Sequence, residues 1–67
     1  MNYRTVLRKR IDERGISYAE LERRTGVSQV LLGRVCREVS DLKATDFVKI
    51  CCELDLDWED FIDCLNN

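Results

Sequence analysis

Several residue types and sequence features that support particular functions are missing from this 67-residue chain. It has no histidine, so the commonest general base and one of the common metal ligands are absent. It also has no proline, no repeated segment, and no apolar run near the roughly 18–20 residues that a membrane span needs. Residues 1–4 lack the apolar stretch of a signal peptide, so we expect a cytoplasmic protein without membrane association. The length suits one small domain that acts through a partner surface, and we do not expect an enzyme.

The four cysteines are spaced unlike a disulfide framework or a zinc site. Cys51 and Cys52 are adjacent, Cys36 and Cys64 stand apart, and there is no Cys-x-x-Cys pair. Adjacent side chains on a helix point about 100° apart, which hinders joint ligation of one metal ion. We therefore expect small apolar core residues in a reducing cytosol, and no cofactor. Redox sensing and metal binding are the alternatives.

The charges are unevenly distributed along the chain, although the net charge is only −2. Residues 1–39 hold nine Lys or Arg against five Asp or Glu, and residues 40–67 hold two against eight. Such asymmetry is typical of a protein with one face against a polyanion; charge scattered over solvated helices is the alternative. The acidic residues Asp55, Asp57, Glu59 and Asp60 form a cluster whose spacing suits helix capping, and no glycine-rich calcium loop surrounds it.

Apolar residues recur at helical spacing along nearly the whole chain, and no segment alternates with the period of a strand. The pattern predicts an all-α fold of five short helices. The expected boundaries are Gly15 as the end of the first helix, Ser17 with Glu20 as a capping box before a second helix over residues 18–25, Ser28 as the cap of a third over 29–37, a fourth over 44–53, and Asp57 with Asp60 as the capping box of a fifth. The expected core contains Leu7, Ile11, Leu21, Val27, Leu32, Val35, Phe47, Ile50, Cys51 and Leu54.

Residues 17–37 have the pattern of a helix-turn-helix. Gly26 permits a left-handed backbone at a tight turn, and Val27 fills the inside of the bend. Leu21, Leu32 and Val35 fix the angle between the two helices. The second helix of such a motif can lie in the major groove of DNA.

The segments GISYAELERRTGVSQVLLGRV (residues 15–35) and DFVKICCELDLDWEDF (residues 46–61) resemble the Cro/repressor helix-turn-helix family of phage and bacterial regulators. They do so in one register and without gaps. The resemblance implies a lambda-repressor-like bundle of five helices that forms a single domain, residues 1–67. It also implies a dimer that binds a pseudo-palindromic operator in double-stranded DNA.

The same resemblance assigns base recognition to the third helix. The positions that match DNA-facing positions of the family are Ser28, Gln29, Val30, Gly33 and Arg34. Of these, Gln29 suits adenine, Val30 a thymine methyl group, and Arg34 guanine or phosphate. Ser17 and Tyr18 would offer N–H groups and a hydroxyl to phosphate, and Arg37 and Lys43 would meet the DNA backbone.

An apolar stripe near the end of the chain is formed by Trp58, Ile62 and Leu65. A short amphipathic helix cannot bury such a stripe inside one small bundle, so we expect a dimer interface here. For Trp58 by itself the simplest interpretation is a core aromatic, and the dimer interface built with Ile62 and Leu65 is the sharper hypothesis.

Three features depart from the family's pattern. The family often has glutamine where Tyr18 stands, and tyrosine can still reach a phosphate. The family usually has alanine where Glu22 stands, so we expect this carboxylate to bend out to water or to pair with an arginine. Ile11 and Cys36 stand where many members bury an Arg–Glu pair, and replacement of a whole buried pair by apolar residues is tolerated.

These observations predict a sequence-specific DNA-binding transcriptional regulator, a repressor that occludes a promoter. The alternative is a protein-interaction module on the same fold, such as an antirepressor, an antitoxin or a phage-encoded inhibitor. The acidic second half of the chain supports that alternative, because it could engage a basic partner.

Overall fold

The computed structural model describes residues 2–65, including every side chain in that range except those of Asp63 and Leu65. Four α-helices of two turns or more form the fold, and no strand occurs among these residues, which confirms the all-α prediction. The helices are α1 (Tyr3–Arg14), α2 (Tyr18–Thr25), α3 (Gln29–Cys36) and α4 (Ala44–Leu54).

The prediction of a fifth regular helix is wrong. Trp58–Phe61 form a 3₁₀ turn that continues into a single α-helical turn, Ile62–Leu65. The predicted capping box is present, because the Asp57 carboxylate accepts from the Glu59 N–H and the Asp60 carboxylate accepts from the Asp57 N–H, each at 2.9 Å. The Asp60 N–H also donates to the Asp57 carbonyl at 3.1 Å, and this i→i+3 bond tightens the segment into a 3₁₀ turn.

Three of the four helices end in one hydrogen-bond pattern, the Schellman motif. The residue that turns the chain is Gly15 after α1, Glu38 after α3 and Asp55 after α4, with φ of 64°, 65° and 58°. The closing bonds run from Ile16 to Ile11 (3.4 Å), from Val39 to Arg34 (2.9 Å) and from Leu56 to Cys51 (2.8 Å). Only the first of these ends carries a glycine, so only that one could be predicted from residue type.

The core lies where α1, α2, α3 and α4 meet, and it contains nearly all of the expected residues. The buried apolar side chains are Leu7, Ile11, Leu21, Val27, Leu32, Val35, Cys36, Ile50, Cys51, Leu54 and Leu56. Phe47 is only half-buried, which differs from the prediction. It packs edge-to-face on Tyr3 at 5.7 Å and against Phe61 at 5.2 Å, between the start of α1 and the C-terminal segment.

The cysteines do not share one environment. Cys36 and Cys51 are buried as predicted, whereas Cys52 is exposed and Cys64 is half-buried. Cys52 follows Cys51 directly on α4 and is rotated by about 100° out of the core. Burial raises the pKa of the Cys51 thiol to about 11. No three Cys, Asp or Glu side chains are grouped as metal ligands within the described part of the chain.

Arginines of α1 hold the C-terminal ends of two other helices. Arg8 Nη1 donates to the carbonyl oxygen of Cys36 at 3.3 Å, at the end of α3. At the end of α4, the Leu54 carbonyl accepts from Arg10 Nη1 at 2.8 Å and from Arg14 Nη2 at 3.2 Å. Cations at helix C-termini satisfy orphan carbonyls and favour the helix dipole, so these contacts fix α1 against α3 and α4.

Candidate nucleic-acid interface

The turn between α2 and α3 is closed by backbone and side-chain bonds. Gly26 has φ 81° and donates its N–H to the Glu22 carbonyl at 2.7 Å. The Thr25 hydroxyl donates to the Leu21 carbonyl at 2.7 Å and accepts from the Val27 N–H at 3.1 Å. Val27 is buried, as predicted. These bonds fix the direction in which α3 leaves the turn.

The first residues of α3 combine a satisfied backbone with exposed side chains. The Ser28 hydroxyl accepts from the N–H groups of Val30 (3.2 Å) and Leu31 (3.4 Å), so Ser28 is the predicted N-cap. Gln29 is exposed, and Val30 is exposed over 67% of its surface. An apolar side chain this exposed at the start of a helix is available to a partner.

Glu22 does neither of the two things expected from the sequence. Its Oε1 accepts the backbone N–H of Gln29 at 2.9 Å, across the turn. The side chain is half-buried, and no described Lys or Arg nitrogen lies within 4.0 Å of its carboxylate. A side chain larger than alanine fits here because its carboxylate accepts from an N–H group at the N-terminus of α3. That N–H group has no partner within the helix itself.

The start of α2 is capped on one side only. The Ser17 hydroxyl accepts from the Glu20 N–H at 3.1 Å. The Glu20 carboxylate does not return this bond, because it accepts instead from Arg23 Nε (2.9 Å) and Arg24 Nε (3.0 Å), so the predicted capping box is incomplete. The hydrogen bond from Arg23 lowers the pKa of the Glu20 carboxyl.

Tyr18 lies against α3 rather than standing free at the start of α2. A Cβ placed on Gly33 would be 3.9 Å from Cε2 of the tyrosine ring. A hydrogen bond with Cys36, together with partial burial, raises the pKa of the Tyr18 hydroxyl to about 12. The ring therefore helps to hold α2 and α3 together, and Gly33 is half-buried beneath it.

Three predicted cations are exposed along the far end of α3 and the connector to α4. Arg34 lies in the last turn of α3, Arg37 caps its C-terminus, and Lys43 directly precedes α4. No carboxylate among the described side chains lies within 4.0 Å of any of them. Their charge is therefore available to an external anion.

The other six arginines are all engaged within the protein. Those paired with carboxylates are Arg4, Arg10, Arg23 and Arg24. Arg8 and Arg14 donate to helix-end carbonyls. Much of the positive charge in residues 1–39 therefore stabilises the fold. The free cations near α3 are better evidence for an anion-binding surface than the overall charge asymmetry is.

The connector between α3 and α4 is fixed by the first residues of the chain. The Arg4 guanidinium pairs with the carboxylate of Asp41 and donates to the Ser40 carbonyl at 3.2 Å. The Tyr3 hydroxyl accepts from the Leu42 N–H at 3.5 Å. These contacts position Arg37 and Lys43 at the two ends of the connector. The contacts themselves were not indicated by any sequence pattern.

The predicted interface residues at the end of the chain are partly described. Trp58 is 67% exposed and Ile62 is 43% exposed, so Trp58 is not a core residue; the side chain of Leu65 lies outside the described residues. Beside Trp58 lies an apolar groove of about 640 Å³. Its apolar lining is formed by Tyr3, Leu42, Ala44, Phe47, Trp58, Phe61 and Cys64.

The sequence model of the Cro/C1-type HTH DNA-binding domain matches residues 6–66 of the chain. The chain belongs to this family. The match covers all four α-helices beyond the first turn of α1, so the helix-turn-helix of the Cro/C1-type domain corresponds to α2 and α3. Comparisons with curated proteins and with solved structures find no match.

Membership in this family of DNA-binding domains supports a DNA-binding regulator. None of the described helices is long and apolar enough to cross a membrane.

Proposed function

We propose that this chain is a sequence-specific transcriptional repressor that inserts α3 into the major groove of double-stranded DNA. The observation that carries the proposal is the placement of Arg34, Arg37 and Lys43, which are exposed and have no carboxylate partner among the described residues. Exposed Gln29 and Val30 lie at the other end of α3. Sequence-specific binding needs two kinds of contact. Contacts to base edges read the sequence, and contacts to phosphates hold the protein in register on the DNA.

Base contacts come from the exposed side chains of α3. Gln29 bonds an adenine edge with its amide, Val30 contacts a thymine methyl group, and Arg34 bonds guanine or a neighbouring phosphate. Ser28, the N-cap of α3, has a short side chain that allows close approach, and Gly33 lets the Tyr18 ring pack on α3, which keeps α2 and α3 in position. The Arg8 contact at the C-terminus of α3 and the Glu22 contact at its N-terminus keep this helix in place while it reads the bases.

Phosphate contacts come from the start of α2 and from the connector. The Ser17 hydroxyl is bonded to the Glu20 N–H, which leaves the N–H groups of Tyr18 and Ala19 for a phosphate oxygen. Because the Tyr18 ring packs over α3, its contribution is the backbone N–H more than the hydroxyl. Arg37 and Lys43 neutralise phosphates on the other side of the groove.

The repressor acts as a homodimer in this proposal. Exposed Trp58 and Ile62, next to the apolar groove, form a surface that a monomer would leave in contact with water. A second copy covers this surface. Two-fold symmetry then places two α3 helices roughly 34 Å apart, one turn of DNA, on a pseudo-palindromic operator that overlaps a promoter.

Selection from a random pool of duplex DNA tests the proposal. The purified chain is expected to enrich a pseudo-palindrome, to show twice the monomer mass in solution, and to bind less tightly as the salt concentration rises. Absence of any enriched sequence, or binding that does not respond to salt, would refute it.

The variants Arg34→Ala and Lys9→Ala separate specific from general charge effects. Both remove an exposed cation without a carboxylate partner, but Lys9 lies beside the groove between α1 and Asp60. Arg34→Ala is expected to weaken operator binding by about 10- to 100-fold and to relax the preference at one position. Lys9→Ala is expected to leave the preference unchanged.

An alternative function, a protein-interaction module on the same fold, is favoured by one observation. The exposed Trp58 is flanked in sequence by the exposed carboxylates of Asp57 and Glu59. An aromatic side chain with an acidic rim suits a basic protein partner, as in an antirepressor, an antitoxin or a phage-encoded inhibitor. Co-purification of a stoichiometric basic protein, without enrichment of any DNA sequence, would support this function over repression.

A further inference from the structure

Glu22 is the one acidic side chain that the structure places at the start of α3. Its Oε1 is 2.9 Å from the backbone nitrogen of Gln29, the first residue of that helix. With the Ser28 hydroxyl bonded to Val30 and Leu31, the first three N–H groups of α3 are all taken by side-chain oxygens. The start of α3 therefore offers no free N–H group to a phosphate.

The charge of Glu22 is not neutralised by a neighbour. Glu20, two residues earlier on α2, pairs with Arg23 and Arg24, whereas no Lys or Arg nitrogen described here lies within 4.0 Å of the Glu22 carboxylate. The side chain is half-buried and hydrogen-bonded to the first N–H group of α3, which places its charge at the start of that helix.

The position of this charge matters for any DNA that touches α3. A phosphate that approached the N-terminus of α3 would meet this carboxylate beside three N–H groups that are already taken. Like charges repel, and at physiological salt the repulsion is screened only over about 8 Å. The carboxylate thus penalises phosphate contacts at the start of α3.

We propose that Glu22 is a specificity-determining residue, whose carboxylate excludes phosphate from the start of α3 and so disfavours DNA that is held through its backbone alone. This inference rests on the proposed function, because it assumes that α3 enters the groove. On this inference the Glu22 carboxylate weakens binding to unrelated DNA and thereby increases the discrimination between the operator and other sequences.

The variant Glu22→Gln tests this role, because the amide keeps an oxygen that can accept from the Gln29 N–H and loses only the charge. The matched control is Glu13→Gln, which removes the same charge from α1, beside the groove that α1 forms with Leu56 and Asp60. Dissociation constants are measured for the selected duplex and for a scrambled duplex of equal length and composition, at two salt concentrations.

We expect Glu22→Gln to bind the scrambled duplex about threefold or more tightly than the wild type, as the loss of one phosphate repulsion predicts. The ratio of the two dissociation constants should fall by a similar factor, and Glu13→Gln should change neither. If the wild type discriminates between the two duplexes and Glu22→Gln shows the same ratio of dissociation constants, this inference alone is overturned. Failure of the wild type to bind any DNA would overturn both the proposed function and this inference.

Glu22→Ala separates capping from charge. It loses the bond to Gln29 as well as the charge, so its melting temperature is expected to fall while its affinity for scrambled DNA rises as in Glu22→Gln. If Glu22→Ala is less stable and neither variant changes DNA discrimination, Glu22 is a helix cap only.

Discussion

The ring of Tyr18 on α2 lies over Gly33 on α3, with its Cε2 3.9 Å from the point where a Cβ would stand on the glycine. That distance is an ordinary van der Waals contact, so a methyl group fits without displacing the ring. Gly33 lies inside a regular helix, and no left-handed backbone requires a glycine there. The space and the backbone therefore both permit alanine at this position.

Gly33→Ala is expected to stabilise the protein by about 0.5–1 kcal/mol, because alanine loses less conformational freedom in a helix. Urea unfolding of the two proteins measures this change. If DNA approaches the α3 backbone closely, the same variant binds its operator more weakly although it is more stable. A decrease in stability would show that Tyr18 and Gly33 pack more tightly than the structure indicates.

Gly26→Ala provides the contrasting glycine variant. A Cβ at Gly26 meets no atom within 4 Å, so the only cost is a left-handed φ of 81°. That cost is about 1–2 kcal/mol for an L-residue, and the free energy of unfolding should fall by that amount. A loss no larger than that of a typical surface substitution would contradict the turn geometry.

The Tyr18 hydroxyl makes stability depend on pH in the alkaline range. Its pKa is about 12 in the folded protein against 10.0 as the ordinary value, so the folded state holds the proton more tightly. The stabilisation is fully present below pH 10 and is lost as the pH rises towards 12. Tyr18→Phe lacks this group, so its free energy of unfolding should fall less than that of the wild type between pH 10 and 12.

Cys36→Ala checks the cause of the Tyr18 effect, since the hydrogen bond with Cys36 is the largest contribution to the raised pKa. Urea unfolding at several pH values between 8 and 12 should show a smaller alkaline loss for this variant as well. Curves that stay parallel to the wild type for both variants would contradict the contact between Tyr18 and Cys36.

Arg10 should contribute to stability through the end of α4. Its Nη1 donates to the carbonyls of Leu54 (2.8 Å) and Asp55 (3.1 Å), and its side chain is only 24% exposed. Charge-assisted bonds of this kind are worth more than neutral ones, so Arg10→Ala is expected to lower the free energy of unfolding by about 1–2 kcal/mol. Denaturant midpoints measure the loss.

Lys9→Ala is the matched control for Arg10→Ala. Lys9 is exposed, neighbours Arg10 on α1, and has no ion-pair partner in the described range. Its removal should change stability by no more than about 0.5 kcal/mol. Equal losses for the two variants would mean that the bonds to the end of α4 contribute little.

Trp58 should report and support self-association. It is the only tryptophan in the chain, so a shift of its emission to shorter wavelength with rising protein concentration would mark burial of this surface. Trp58→Ser is expected to reduce the mass in solution to that of the monomer while leaving the helical content unchanged, because the side chain is exposed in the monomer.

Val39→Ser controls for the loss of an exposed apolar side chain, since Val39 is 62% exposed but lies in the α3–α4 connector. It should leave the mass in solution unchanged. A wild type that stays monomeric at all concentrations would contradict the proposed dimer. It would indicate that the apolar surface binds a partner other than a second copy.

The framework of the fold could be predicted because each of its signals is local. Ser17, Gly26 and Ser28 mark helix ends by residue type, and they bound α2 at its observed residues. The fifth helix was overestimated, because the periodicity of apolar residues does not distinguish a 3₁₀ turn from the first turn of an α-helix.

The features that could not be predicted depend on residues far apart in sequence or on unfavourable backbone angles. The bond from Gln29 to Glu22 forms only once α2 and α3 meet at the observed angle. The packing of the Tyr18 ring on Gly33 likewise forms only between the folded helices, and the left-handed backbone at Glu38 follows from its surroundings and not from its residue type. The candidate interface could therefore be listed from the sequence, but not the contacts that orient it.

The bond from Asn2 Nδ2 to Glu38 Oε1, at 2.9 Å, joins the start of α1 to the residue that follows Arg37. An affinity tag or fluorescent protein fused directly ahead of Asn2 would emerge beside the connector and its free cations. Fusions placed there would crowd the cations that we propose to contact phosphate and would lower the measured affinity for DNA, so a cleavable tag, removed before any titration, is the better design.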